Sequence, residues 1–249
     1  MAEALDESKN LTLTDHLAEL RIRLIHSLLA LLVMTSICYA FSTEIFEIVR
    51  KPIEPFLPSG GLIYTGPMDK FMAHLKLSVV CGVIASCPFW LYEIWRFVAP
   101  GLYQKERRYG MGFIISGSFL FLLGVSFAYF LVLPKAFEFL FTYGGTKDTP
   151  MISIDQYFSF LSQMCLMFGV AFELPLVISL LGMLGIVNHK FLREKRRYAV
   201  MVLAVVAALL TPPDILSMSM MLVPLLALYE ISILVVIFFE RKRSSEIAD

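Results

Sequence analysis

An all-α membrane protein with six transmembrane helices and both termini in the cytoplasm is the architecture this sequence points to, and three observations carry it. First, 58% of the residues are hydrophobic and the mean hydropathy is +0.74, whereas a soluble domain is about 45–50% apolar. That surplus suits a bilayer rather than a water-soluble core. Second, six apolar runs approach the roughly 17–25 residues a helix needs to cross hydrocarbon. Third, Lys and Arg are divided unevenly among the connections. Net charge itself carries no information, because 21 basic and 21 acidic residues cancel, and nothing supports nucleic-acid binding.

Before the first span, Leu13, Leu17, Leu20 and Leu24 recur at steps of four, three and four, an apolar stripe along one helix face. Thr12 with Asp15 three residues on makes a capping start. Residues 12–23 are therefore read as a cytoplasmic amphipathic helix leading into the membrane, with Glu19, Arg21 and Arg23 off the stripe. Glu19 and Arg23 stand at the i, i+4 spacing of a surface ion pair. Leu24 to Phe41 is the first span. The second starts amphipathically near Phe71 with His74 and Lys76 and is uniformly apolar from Leu77 to Tyr92. Gly110 to Leu133 is the third. Tyr157 to Val187 is a long fourth, interrupted by Glu173 and Pro175; Glu173 is expected roughly two turns from the cytoplasmic end, and Pro175 frees a carbonyl and kinks the helix. Tyr198 to Pro213 and Ile215 to Phe239 complete the set across a short Thr211-Pro212-Pro213-Asp214 turn. The fifth, 16 residues long, reaches only about 24 Å against roughly 30 Å of hydrocarbon. A hairpin that enters and leaves on one side is the alternative for the last two runs.

If alternate connections face opposite sides, one side holds 15 of the 21 basic residues, including Arg21, Arg23, Arg107, Arg108, the Lys190–Arg197 group and Arg241-Lys242-Arg243, and the other holds 6. The positive-inside rule then places both termini in the cytoplasm and favours six spans. Outside, Glu44 to Lys70 is rich in Pro and Gly and reads as a stiff cap; Lys135 to Asp155 is a second outer loop. No repeat or soluble domain stands out, so residues 1–249 form a single polytopic membrane domain with a cytoplasmic tail at 240–249. The polar, acidic N-terminal stretch lacks a signal-peptide pattern, so insertion through the protein's own helices is expected. Cys38, Cys81, Cys87 and Cys165 fall in apolar runs and are read as small buried hydrophobes, with no metal spacing and no disulfide pattern. No cofactor, metal site or enzymatic motif is recognisable.

Candidate functional residues lie on the cytoplasmic face and within the fourth span. Glu19 and Glu106 are carboxylates among basic residues, where they can serve as counter-charges for a basic ligand, although taken singly a local pair accounts for Glu19 and a helix-start position for Glu106. Phe97 can pack on the stem or plane of a cation. Glu173, ionisable within a span, is a functional position by default; a pair with Lys76 is its structural alternative. A proton-coupled secondary transporter and an insertion scaffold are rival readings, the first weakened by the missing repeat symmetry.

Four blocks then carry a resemblance: His16-Leu17-Ala18-Glu19-Leu20-Arg21, the run from Phe97 to Arg108, Phe168-Gly169-Val170-Ala171-Phe172-Glu173-Leu174-Pro175, and Thr211-Pro212-Pro213-Asp214. In this order over nearly the whole chain, they resemble the signature blocks of the TatC family. The resemblance implies a concave six-helix scaffold in the cytoplasmic (inner) membrane. It would bind signal peptides with consecutive arginines on folded cargo and recruit single-span TatA and TatB-like partners for export driven by the protonmotive force. It further implies a homo-oligomer within a hetero-complex in contact with membrane lipids. By position, Glu19, Arg21, Phe97 and Glu106 fall in the peptide-recognition region, Glu173 on the intramembrane acidic position, and Pro52, Tyr129 and Asp214 on other sensitive places. Met218 stands where the family often has a polar side chain. Arginine keeps its charge and presents a planar fork that carboxylates bind bidentately, which lysine cannot reproduce.

Overall fold

The computed structural model of the protein describes residues 13–57, 61–102, 107–142, 151–211 and 215–248. Helix α1, Leu13–Ala40, runs unbroken because it contains neither Gly nor Pro, so the amphipathic lead-in and the first crossing are one rod. The expected stiff cap holds a helix of its own, α2, Ser42–Arg50, which packs Ile45, Phe46 and Val49 onto the core, followed by a 3₁₀ turn at Glu54–Phe56. The two connections expected on the outer side are tied together where the Ile63 amide donates to the Ile152 carbonyl at 3.0 Å and the Ile154 amide to the Ile63 carbonyl at 2.7 Å.

The second crossing is not straight. Helices α3, Asp69–Ala85, and α4, Cys87–Val98, meet at Ser86 with a bend of 53°. Pro88, in the first turn of α4, lacks an amide donor and its ring crowds the carbonyl four residues back, so the helix restarts there. The third crossing overruns its expected end at Leu133: α5, Gly110–Phe127, continues through a π-helical turn, Ala128–Val132, into α6, Leu133–Thr142. Pro134 offers no amide to the preceding turn, and a widened turn accommodates the lost bond.

The fourth crossing consists of α7, Ile154–Phe172, and α8, Leu174–Met183, which break at Glu173 ahead of Pro175, as expected. Gly185, at φ +74°, ends α8 in the left-handed conformation that glycine adopts without strain. A short α9, His189–Glu194, starts where the Asn188 side chain accepts the Phe191 amide at 2.7 Å. Then α10, Arg196–Leu210, makes the fifth crossing with 15 residues, about 22 Å. The last helix, α11, Ile215–Ala248, carries the sixth crossing and extends through the segment expected to be a tail. Residues His16–Ala40, Gly110–Thr142, Ile154–Met183 and Ile215–Glu240 are each long and apolar enough to span a bilayer, and α3 with α4 forms a fifth such unit. The six crossings are helical, and among the described residues the only β-type contact is the isolated bridge of Ile63 with Ser153.

Two packed regions hold the bundle. The larger includes Phe46, Ile53, Leu77, Phe158 and Phe168; the smaller joins α4, α5 and α8 through Leu91, Trp95, Phe113, Phe121 and Leu176. Close helix contact depends on glycine: a Cβ on Gly124 would lie 2.5 Å from the Phe168 carbonyl oxygen, and one on Gly82 2.9 Å from Thr35 Cα. Cys87 and Cys165 are buried as expected, but Cys38 and Cys81 are only half-buried. They sit on α1 and α3, whose outer flanks face outward.

Candidate functional site

At the end of the bundle where α1 begins, α1 and α4 are joined by polar and aromatic side chains. The His16 ring stacks on Phe97 with centroids 4.3 Å apart and planes 19° from parallel. Two turns further along α1, Arg23 donates from Nη2 to Glu19 Oε1 at 2.6 Å and from Nη1 to Glu93 Oε2 at 3.1 Å. His26 Nδ1 stands 3.6 Å from Glu93 Oε1. The Arg23 and Glu93 side chains are only 14% and 13% exposed, so this guanidinium is clamped between two carboxylates with little water to screen it. The i, i+4 pair of Glu19 and Arg23 is therefore present, but Arg23 points inward to α4 rather than out to solvent. Glu19 is 26% exposed and remains reachable, while Arg21 is exposed and has no ion pair among the described residues.

Sequence reasoning missed Glu93. It follows directly on the second apolar run and is one turn from Phe97 on the same helix; an acidic residue at the lip of a span, with Arg96 three residues on, was the available signal. Beyond Phe97, the chain turns through Ala99–Gly101. There Arg107 donates from Nε to the Ala99 carbonyl at 2.9 Å and from Nη2 to that of Pro100 at 3.2 Å, closing the loop on itself. Glu106 and Asp214 lie outside the described residues.

Glu173 sits in a different environment. It is 6% exposed, and neither carboxylate oxygen has a hydrogen-bond partner among the described residues. Oε2 faces Gly117 of α5, 3.4 Å from where a Cβ would stand, at a spot also approached by Leu91 and Leu176. The ten residues of α8 follow it, about 15 Å of helix, which places it closer to three turns than two from the end of that helix. The possible pair with Lys76 is absent: Lys76 Nζ donates instead to Asp155 Oδ1 at 2.6 Å and to Ser159 Oγ at 3.1 Å. Lys76 is at the middle of α3 but is tied to Asp155 in the first turn of α7, whereas Glu173 lies just beyond the other end of α7, so the two are separated along the bundle.

At the far end, Pro52 follows α2, and the end of that helix is fixed by two tyrosines. The Tyr129 hydroxyl donates to the Ile48 carbonyl and the Tyr157 hydroxyl to the Val49 carbonyl, each at 2.6 Å. Tyr129 sits in the π turn, which gives this position a structural task; Tyr157 was not singled out from sequence. Met218 packs against the larger core, so this chain uses an apolar contact at that position.

The chain can now be set beside known proteins. The family model described as Sec-independent protein translocase protein (TatC) matches residues 15–224. A relative named Sec-independent protein translocase protein TatC, from Desulforapulum autotrophicum, is 40% identical over 241 residues, covering 96% of this chain and 89% of its own. One of the same name from Aquifex aeolicus is 40% identical over 223 residues, covering 89% and 92%. A crystal structure of the twin-arginine translocase receptor TatC superposes with a TM-score of 0.77 at 38% identity, over 90% of this chain and 98% of that one. A second, in the detergent DDM, gives 0.78 at the same identity, over 88% and 98%. These relatives are translocase components rather than enzymes, and with the helical crossings above they make this a multi-pass membrane protein. The chain belongs to the TatC family of Sec-independent protein translocase proteins.

Proposed function

We propose that this chain is a receptor for signal peptides with consecutive arginines, receiving them at the α1–α4 end of the bundle. The observation that carries this reading is Arg23: the protein already holds one guanidinium between Glu19 and Glu93, the chemistry an incoming arginine needs. Charge-assisted bonds from a planar fork to carboxylates are stronger than neutral ones and geometrically selective. Glu19, the more exposed of the two acids, offers its free oxygen to the peptide, and Glu106 supplies the second carboxylate. Phe97, already stacked on His16, forms the aromatic side, and exposed Arg21 borders the approach. Family membership favours this over a solute transporter. Binding of a twin-arginine peptide to the purified protein tests it: Glu19→Lys should weaken binding by about 2–5 kcal/mol, and a twin-lysine peptide should bind poorly to the unaltered protein. Equal affinity of Glu19→Lys for the twin-arginine peptide would place recognition elsewhere.

The receptor role requires that this end face the cytoplasm, in the inner membrane, as the uneven distribution of basic residues indicates. In a cysteine-free background, a single cysteine at Thr65 should react with an impermeant reagent added outside the cell and one at Asn188 should not. The reverse pattern would overturn the orientation. TatA and TatB-like single-span proteins are the proposed partners for export driven by the protonmotive force. Glu173 is proposed as the polar position that meets a partner's helix, reached when α8 moves away from α5 at Gly117. Pro52, Tyr129 and Asp214 are proposed as positions where change impairs translocation without contacting the peptide.

A further inference from the structure

A second charged and aromatic corner lies where α10 begins. There α9, the first turns of α10 and α11 enclose a groove of about 510 Å³ lined by Phe191, Leu192, Lys195, Tyr198, Val202 and Tyr229, within the roughly 300–1,000 Å³ of ligand sites. Its wall is apolar. The Tyr229 hydroxyl is engaged by the Leu192 carbonyl at 2.8 Å, so that residue offers its ring. At the mouth, Lys195 Nζ stands 5.5 Å and Arg197 Cζ 5.0 Å from the centroid of the same Tyr198 ring, and Arg197 also donates to the Tyr198 hydroxyl at 3.3 Å.

Two cations thus share one ring, and neither has an acidic partner among the described residues. Their neighbours differ. Arg196 is paired with Glu230 at 2.5 Å and His189 with Glu240, so carboxylates are supplied on this surface but not at Tyr198. Glu194, adjacent in sequence, forms no ion pair among the described residues. Like charges gathered without a counter-charge repel, and an anion between them relieves this. The position is the end of a crossing helix with an interfacial tyrosine, the level of lipid headgroups.

We propose that this groove binds an anionic phospholipid, its phosphate held by Lys195 and Arg197 beside Tyr198 and one acyl chain lying along Phe191, Leu192 and Val202. Basic pockets between crossing helices hold anionic headgroups in this manner, and the apolar wall selects a lipid over free phosphate, which gains nothing from it.

The test reconstitutes the full chain in vesicles of dioleoylphosphatidylglycerol and dioleoylphosphatidylcholine in equal amounts, extracts it, and counts retained lipids by native mass spectrometry. The unaltered protein should retain phosphatidylglycerol in preference. Combined Lys195→Gln and Arg197→Gln should lower that retention roughly tenfold or more, whereas combined Lys190→Gln and Arg193→Gln, which removes the same charge outside the groove, should leave it unchanged. Val202→Trp, which fills the acyl wall with all charges intact, should also lower it, and inorganic phosphate should not displace the lipid. The proposal is overturned if both charge-neutralised proteins lose lipid equally, if the unaltered protein shows no preference, if Val202→Trp retains lipid fully, or if phosphate displaces it. Should the groove double variant fail to fold, the Val202→Trp and phosphate measurements still decide.

Discussion

Glu93, on α4, and Glu173, at the break between α7 and α8, are both carboxylates beside the smaller core and both nearly buried, yet they are treated oppositely. Glu93 has Arg23 against it and His26 nearby; Glu173 has a glycine, two leucines and no hydrogen-bond partner among the described residues. A buried pair is largely self-contained: its attraction offsets its desolvation, and removing one member exposes the penalty of the other. A lone acid has no such offset and persists against the stability of the protein that contains it. The first arrangement holds α1 to α4; the second leaves a carboxylate without a partner among the described residues, in keeping with the partner-contact role proposed for it.

The contrast can be broken most readily at the pair. Glu93→Ala should lower stability to thermal unfolding in detergent by about 3 kcal/mol, because Arg23 is left buried with Glu19 alone, and Arg23→Leu combined with Glu93→Leu should regain most of it. If the single and double variants unfold alike, the clamp does not couple α1 to α4. The lone acid should respond in the other direction: Glu173→Leu should leave stability unchanged or raise it by about 1–3 kcal/mol, while reducing cross-linking to a single-span partner. A clear loss of stability would show that the carboxylate has a structural partner after all. The smallest effect belongs to the tyrosines beside α2. Tyr129→Phe and Tyr157→Phe each remove one hydrogen bond, about 1 kcal/mol, and should speed amide exchange at the end of α2 without altering peptide binding. Unchanged exchange in both would mean that packing alone anchors that helix.

The crossings were legible because length and hydropathy encode them locally, and so was the Glu19–Arg23 pair, which depends only on helical spacing. The break at Glu173 followed from Pro175. What escaped was either long-range or backbone-specific. Glu93 meets Arg23 across 70 positions of chain, a relation no local period contains, and the Tyr157 tie spans 108. Pro88 announces its bend as plainly as Pro175 does, but it stands inside a run so apolar that the run reads as continuous. Helix α2 was hidden by the Pro and Gly that follow it, since those residues describe the remainder of the same connection. The shortness of the fifth crossing, by contrast, is visible both in the sequence and in α10.

The π turn at Ala128–Val132 has a genetic consequence. It contains one residue more than an α-helical turn would, so losing a single codon there returns the helix to α geometry, with only the bond that Pro134 cannot make still missing. The wide turn absorbs its extra residue, five residues sweeping about the angle that four sweep at roughly 100° each in an α-helix, so α6 would keep its face relative to α5. Ala136 and Phe137, now buried, would stay at their core positions, but if the codon lost were that of Tyr129 the tie to Ile48 would disappear. A deletion in this turn is thus expected to be tolerated by the bundle unless it removes Tyr129, and a substitution of Phe130, largely exposed on its outer side, should pass almost unnoticed.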